Sequence, residues 1–136
     1  MVGLVIVCHG NLGAELINVA EGIVGKIDGA VPVSIGSVFD VDSAREEVGA
    51  AIKKVYGPEG VLILTDMFGG TPSNISLSFL EEGKVEVVTG TNLPMLIKLV
   101  TYRQGRPLSE LASFIASYGK KNIYLATDVL NVKKAD

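Results

Sequence analysis

Two stretches, GLVIV at residues 3–7 and GVLILT at 60–65, run apolar without a break (the second up to its closing threonine) instead of at every second position. A strand with one wet face alternates apolar and polar side chains, so an unbroken aliphatic run marks a strand covered on both faces. Such strands need helices packed above and below the sheet, and the intervening sequence supplies them. Leu12, Leu16, Val19, Ala20, Ile23, Val24 and Ile27 follow helical spacing, with Gly29 as a stop. VPVSIGSV (31–38) reads as a second strand, with Pro32 at its start or on an edge. The next helix opens with Asp42 or Ser43 as N-cap. It runs Ala44, Val48, Ala51, Ile52 and Val55 along one face and ends at Gly57. TPSNISLSFLEEG then places Thr71 at an N-cap and Pro72 at the first helical position. KVEVVTG (84–90) is a fourth strand, NLPMLIKLVTYRQG and PLSELASFIASYG are two more helices, and NIYLATDVL (122–130) is a last strand.

The alternation implies an α/β fold with one doubly wound, mostly parallel sheet in flavodoxin-like order 2-1-3-4 and helices on both faces. The last strand follows two helices, so it is not bound to the same right-handed crossover. It either runs antiparallel at an edge or reaches into a second subunit, and the sequence does not choose. There is no internal repeat, low-complexity segment or linker, so one domain is expected over residues 1–136.

With 48% apolar residues and 20% charged, the chain has the balance of an aliphatic-rich globular protein. A net charge of −3 argues against nucleic acid as partner. The basic pairs Lys53-Lys54, Lys120-Lys121 and Lys133-Lys134 are too sparse for a groove and read as solvated surface. The single cysteine, Cys8, can form no internal disulfide and no thiolate metal cluster, which fits a reducing compartment. Met1 leads into VGLVIV without a basic leader, and no run is long enough to span a membrane. A cytoplasmic protein is expected, with any membrane association indirect.

The chain has one histidine, His9, placed where the first apolar run gives way to glycine. In open parallel sheets ligands bind beyond the carboxyl ends of the strands, where strand order reverses. Order 2-1-3-4 makes strands one and three neighbours, so their ends CHGN and TDMFGGTPSN bring His9 and Asp66 together. A lone histidine is ordinarily an unremarkable surface or hydrogen-bonded residue, and a lone aspartate after a strand is ordinarily a cap. Together they make a unit, because an aspartate accepting from one ring nitrogen leaves the other as an oriented nucleophile. Gly69, Gly70 and Thr71 precede a proline-initiated helix, an arrangement that presents backbone N–H groups to an anion such as phosphate, or simply makes a tight turn and a cap. No P-loop lysine pattern or dinucleotide fingerprint is present. An oriented imidazole, a carboxylate and an anion cradle suggest phosphoryl transfer through a phosphohistidine, with no metal and no cofactor called for. Gly10, Ser73 and Asn92 are supporting candidates. Thr91 and Asn92 follow the fourth strand, and capping of the next helix is their simpler duty. Met67 and Phe68 are either buried against the sheet or part of a docking surface. Cys8 is expected to point into the core.

The stretches GLVIVCHGNLG, GVLILTDMFGGTPSN and VVTGTNLPMLIKLV resemble the IIA component of the mannose family of the phosphoenolpyruvate-dependent phosphotransferase system (PTS). DMFGGTP is the most specific of them, and the resemblance covers essentially the whole chain. It implies a doubly wound sheet in a dimer whose C-terminal edge strand is exchanged between subunits. It also implies that His9 takes a phosphoryl group on Nε2 from the phosphocarrier HPr and passes it to a IIB component, with Asp66 on Nδ1 and Gly69, Gly70 and Thr71 around the phosphate. A permease of IIC and IID components would then be the only link to a membrane. The chain is expected to stop after the IIA unit, without a IIB domain, so its role is either sugar uptake or regulation. The rival reading is a non-catalytic module that binds a phosphorylated metabolite. A histidine phosphatase would need an arginine before the histidine and a second histidine, whereas Cys8 precedes His9 and no second histidine exists.

Overall fold

The first aliphatic run folds as β1 (Gly3–His9), an interior strand whose successive side chains enter two different cores. Leu4, Ile6 and Cys8 face one side and Val5 and Val7 the other, which is why no polar residue is tolerated along the run. The computed structural model describes the backbone of residues 1–135 and the side chains of residues 1–130. The chain continues through α1 (Leu12–Val24), β2 (Ala30–Ile35), α2 (Val41–Val55), β3 (Val61–Thr65), α3 (Thr71–Leu77) and β4 (Val85–Thr89), and closes with α4 (Leu93–Tyr102), α5 (Leu108–Lys121) and α6 (Ala126–Ala135). The sheet order is β2-β1-β3-β4 with every neighbour parallel, as expected. Val7 lies opposite Val33 on one side and Thr65 on the other, and Thr65 lies opposite Thr89.

One core joins the sheet to Ile17 and Ala20 of α1, Met95, Leu96 and Leu99 of α4, and Leu111 and Ile115 of α5. The other joins it to Ala44, Val48, Ala51 and Ile52 of α2 and Ile75 of α3. Each fully buried aliphatic side chain contributes about 1.5–3 kcal/mol relative to exposure. The lysine pairs at 53–54 and 120–121 occupy the exposed last turns of α2 and α5, where they complement the negative end of the helix dipole. Lys133-Lys134 lies outside the described side chains. Among the described residues no helix is long and apolar enough to cross a membrane.

Several boundaries differ from the sequence reading, each for a local reason. Helix α1 stops at Val24, because Gly25 turns at φ +89° and the Glu21 carboxylate takes the Ile27 N–H at 2.9 Å. The N-cap of α2 is Asp40, not Asp42 or Ser43. Its carboxylate accepts from the Ser43 N–H at 3.0 Å and the Ser43 hydroxyl at 2.8 Å, the reach of a cap to the third helical residue. Helix α3 is capped by Gly70 rather than Thr71 and ends at Leu77. Beyond it Ser78, Phe79 and Leu80 bond three residues back, and the Ser76 and Ser78 hydroxyls occupy the carbonyls of Pro72 and Ile75.

The largest departure is at the C-terminus. The expected strand over 122–130 is absent: Ile123–Leu125 has no regular structure and α6 begins at Ala126. A strand exists only as part of a ladder, and in the single chain this segment lies on no sheet edge. A helix satisfies the same backbone groups internally, and Ala126, Val129 and Leu130 fit helical spacing as well as they fit a strand.

Candidate functional site

His9 is the last residue of β1 and Asp66 the first after β3, and the parallel register brings these two strand ends together. The Asp66 Oδ2 atom accepts from the His9 backbone N–H at 3.0 Å and lies 2.8 Å from the ring Nδ1. Both bonds converge on one oxygen, so the carboxylate holds the imidazole at its root and at its ring. The other oxygen, Oδ1, accepts from the Met67 N–H at 3.1 Å. With the carboxylate as acceptor, Nδ1 is the donor of this bond, and Nε2, the other ring nitrogen, takes no part in it. The imidazole remains 50% exposed while the Asp66 side chain is 11% exposed, so the acid is sheltered and the ring open.

Burial by itself would raise the Asp66 pKa. The hydrogen bonds from the His9 backbone and ring, together with attraction to the imidazole, outweigh it and hold the carboxyl below its ordinary 3.8. Cys8 behaves oppositely: burial, then the negative charge of Asp66, push its thiol up to about 12. The thiol stays protonated and packs in the core beside α1, as its position in the sequence suggests.

Gly70 touches the ring. A Cβ there would sit 2.8 Å from His9 Cε1 and 3.2 Å from Nε2, so any larger residue displaces the imidazole. Gly69, at φ +90°, makes the preceding turn possible. Thr71 is the first residue of α3, and its hydroxyl makes no capping bond. Helix α3 has seven residues instead of the thirteen in TPSNISLSFLEEG, so an anion there would meet local N–H groups more than a long helix dipole. Gly10 follows His9 at φ +54°, and its N–H continues the ladder to Ile35 O at 2.8 Å.

The other candidates separate. Ser73 is buried beneath the Asp66 loop and donates its hydroxyl to the Met67 carbonyl. Thr91 donates both its N–H (3.0 Å) and its hydroxyl (2.8 Å) to Thr65 O, tying the loop after β4 to the end of β3. Asn92 turns away: it accepts from Met95 N to cap α4 and donates to Gly119 O at 3.1 Å. Met67 and Phe68 are exposed, Phe68 at 73%, not buried against the sheet.

Two features of the site escape a reading of the sequence. Thr65 closes an aliphatic run and reads as a strand residue, yet its hydroxyl lies 2.6 Å from Ser73 Oγ. The only available signal is a hydroxyl next to the acid in LILTD. Val38, Phe39 and Val41, in SVFDVD, are also exposed at the same end of the sheet. Phe39 and Val41 line, with Arg45, Thr71 and Asn74, a cleft of about 240 Å³.

A family model described as PTS system fructose IIA component (EIIA-man) matches residues 3–116. The chain is 25% identical over 135 residues to the PTS system fructose-specific EIIA component of Bacillus subtilis, covering 98% of this chain and 92% of that one. It is 27% identical over 124 residues to the PTS system mannose-specific EIIAB component of Escherichia coli, covering 90% of this chain but only 38% of that longer protein. Among solved structures, the mannose/sorbose specific IIA subunit from Enterococcus faecalis superposes with a TM-score of 0.82 at 26% identity. That match covers 91% of this chain and 93% of the other.

Proposed function

The chain belongs to the EIIA-man family of PTS IIA components, and on that premise we propose that His9 is a phosphoryl carrier, loaded by HPr and unloaded by a IIB component. The observation that carries this reading is the bond from Asp66 Oδ2 to His9 Nδ1 at 2.8 Å, which leaves Nε2 as the free nucleophile at the open face of the ring. In the forward step the Nε2 lone pair attacks phosphorus on the phosphorylated HPr. The bond from phosphorus to the donor nitrogen breaks as the new N–P bond forms. The His9 ring becomes a cation that keeps its Nδ1 proton, and the Asp66 carboxylate stabilises that cation. A cationic ring is also a good leaving group, which suits a relay that must release its cargo to IIB.

The arriving group brings about −1.5 to −2 charges close to an ionised Asp66. In this proposal the N–H groups of Gly69, Gly70 and Thr71 balance that charge, and Gly70 allows the approach by offering no side chain to the ring. In this proposal the exposed Met67 and Phe68, together with the exposed Val38 and Phe39 in the loop after β2, form the apolar rim on which HPr and IIB dock. Transient relays need modest patches of this kind. A homodimer is part of the proposal. Ile123, at 77% exposure, and the similarly exposed Tyr124 and Leu125 form an apolar segment free to extend onto a second copy. The reading places the chain in the cytoplasm, with the membrane reached only through a IIC/IID permease, and assigns it no particular sugar.

Incubation with phosphoenolpyruvate, enzyme I and HPr is expected to add one acid-labile phosphoryl group by intact-protein mass spectrometry, and His9→Ala is expected to abolish it. Equal labelling of that variant would overturn the assignment. A stable complex with a phosphorylated metabolite, with no phosphohistidine from any donor, would favour a binding module instead.

A further inference from the structure

Both neighbours of Asp66 are held by hydroxyl groups that take no part in the transfer itself. On the β3 side, Thr65 O accepts two bonds from Thr91, from its N–H at 3.0 Å and its Oγ1 at 2.8 Å. On the loop side, the Ser73 hydroxyl donates to the Met67 carbonyl. The Thr65 and Ser73 side chains are both fully buried, and their oxygens lie 2.6 Å apart. A serine hydroxyl has one proton. Because that of Ser73 goes to Met67 O, Thr65 must donate to Ser73 Oγ, and the chain runs one way from Thr65 through Ser73 to Met67.

Packing alone does not account for these residue types. An apolar pair would fill the space between β3 and α3 without taking two hydroxyls out of water. The end of the chain does account for them. Met67 is held at its carbonyl by Ser73 and at its nitrogen by Asp66 Oδ1, at 3.1 Å, so its backbone is fixed on both sides. Asp66 thus lies between two clamped residues, and its Oδ2 is delivered to both the backbone N–H and the Nδ1 of His9.

We propose that Ser73 is a positioning residue for phosphoryl transfer: with Thr65 and Thr91 it presets the backbone around Asp66, so that the carboxylate selects the Nδ1–H tautomer of His9 before any phosphoryl group arrives. This rests on the reading of His9 as a carrier. Without the clamp the turn from Asp66 to Gly70 is free to sample other conformations, and both the acid and the glycine against the ring lose their register with the imidazole.

The test compares the full chain with Ser73→Ala, Thr65→Val and Thr65→Ser by two readouts. One is the ¹⁵N NMR pattern of the unphosphorylated His9 ring, which reports the tautomer. The other is the rate of transfer from phosphorylated HPr. Ser73→Ala is expected to reduce the Nδ1–H population and to slow transfer on the order of tenfold, the scale of a small misplacement at a reacting group. Thr65→Val is expected to move both readouts the same way by less, and Thr65→Ser, which keeps the hydroxyl, to leave both near the parent. Folded Ser73→Ala and Thr65→Val proteins that melt earlier yet keep the parental ring pattern and rate would show the hydroxyls to be structural only. Should Ser73→Ala fail to fold, the two Thr65 variants decide the question by themselves. A parent chain that phosphorylated HPr does not label overturns the carrier reading, and this role in transfer with it. The ring-nitrogen comparison tells that failure apart from failure of the clamp.

Discussion

At the carboxyl end of β1, the half-exposed His9 imidazole is bound to a carboxylate; just before its amino end, the Arg103 guanidinium is 2% exposed and bound only to carbonyls. Arg103 caps α4 and donates from one terminal nitrogen to Val2 O at 3.1 Å and from the other to Asp28 O, while its Nε has no partner among the described residues. Burial pushes its pKa down, and the charge of Asp28 only partly opposes that. The two ends of one strand thus use a charge in opposite ways. At the amino end a cation is taken out of water to join segments 101 and 75 residues apart in sequence, and its reactivity is lost. At the carboxyl end the acid is sheltered but the base is left in water, where a partner can reach it.

If that contrast is right, substitutions at the two ends should separate stability from transfer. The largest effect is expected for Arg103→Ala, which strands the buried Val2 carbonyl and the partly buried Asp28 carbonyl and opens a cavity. Urea unfolding should show a loss of about 2–5 kcal/mol, the scale for truncating a large buried side chain and leaving a buried carbonyl unpaired. The folded fraction should still accept phosphate at close to the parental rate. Asp66→Ala should do the reverse, slowing transfer from HPr on the order of a hundredfold while costing only about 1 kcal/mol of stability. A parental transfer rate in that variant would remove the orienting role from the account. Gly70→Ala sharpens the same end, since its Cβ must push the ring aside. Transfer is expected to fall about tenfold with the Asp66 charge intact, and a shifted His9 ring in the NMR spectrum would identify the cause.

The smallest effect concerns pH. The Asp66 carboxyl is held below 3.8 in the folded state, so its stabilising contribution is complete above that value and is lost as pH falls through the lower folded one. Melting temperature should therefore drop below about pH 4, and Asp66→Asn should make that drop shallower. It should not flatten it, because the exposed Asp40 and Glu59, bonded to Ser43 and to the amino terminus, are lowered as well. Identical acid profiles for parent and Asp66→Asn would remove the folded-state bond from the explanation.

The sheet and the His9–Asp66 pair are legible in the sequence because both follow from local pattern plus one topological rule. An aliphatic run without polar residues needs two covered faces, and order 2-1-3-4 makes the ends of the first and third strands neighbours. Thr65 was not legible, since a threonine is ordinary in a strand and only the approach of α3 gives its hydroxyl a partner. The α2 cap was ambiguous because DVDS offers three residues able to cap, and the choice depends on where the backbone turns into the helix, which puts the Asp40 carboxylate on the Ser43 N–H. The C-terminal segment misled for a deeper reason. Residues 122–130 fit strand and helix spacing alike, and a strand's hydrogen bonds depend on a neighbour that local sequence does not contain.

Residue order alone determined where buried strands lie, which ends of them carry ionisable groups, and that two glycines precede the helix after Asp66. Tertiary structure alone decided that one aspartate oxygen serves both the backbone and the ring of His9, that Ser73 and Thr65 share a proton chain beneath it, and that Arg103 rather than a carboxylate secures the far end of the sheet. The physical reason is range. Hydrophobic periodicity is a property of neighbours in the chain, whereas a hydrogen bond between residues 57 positions apart exists only after strand pairing has set their distance to within a few tenths of an ångström.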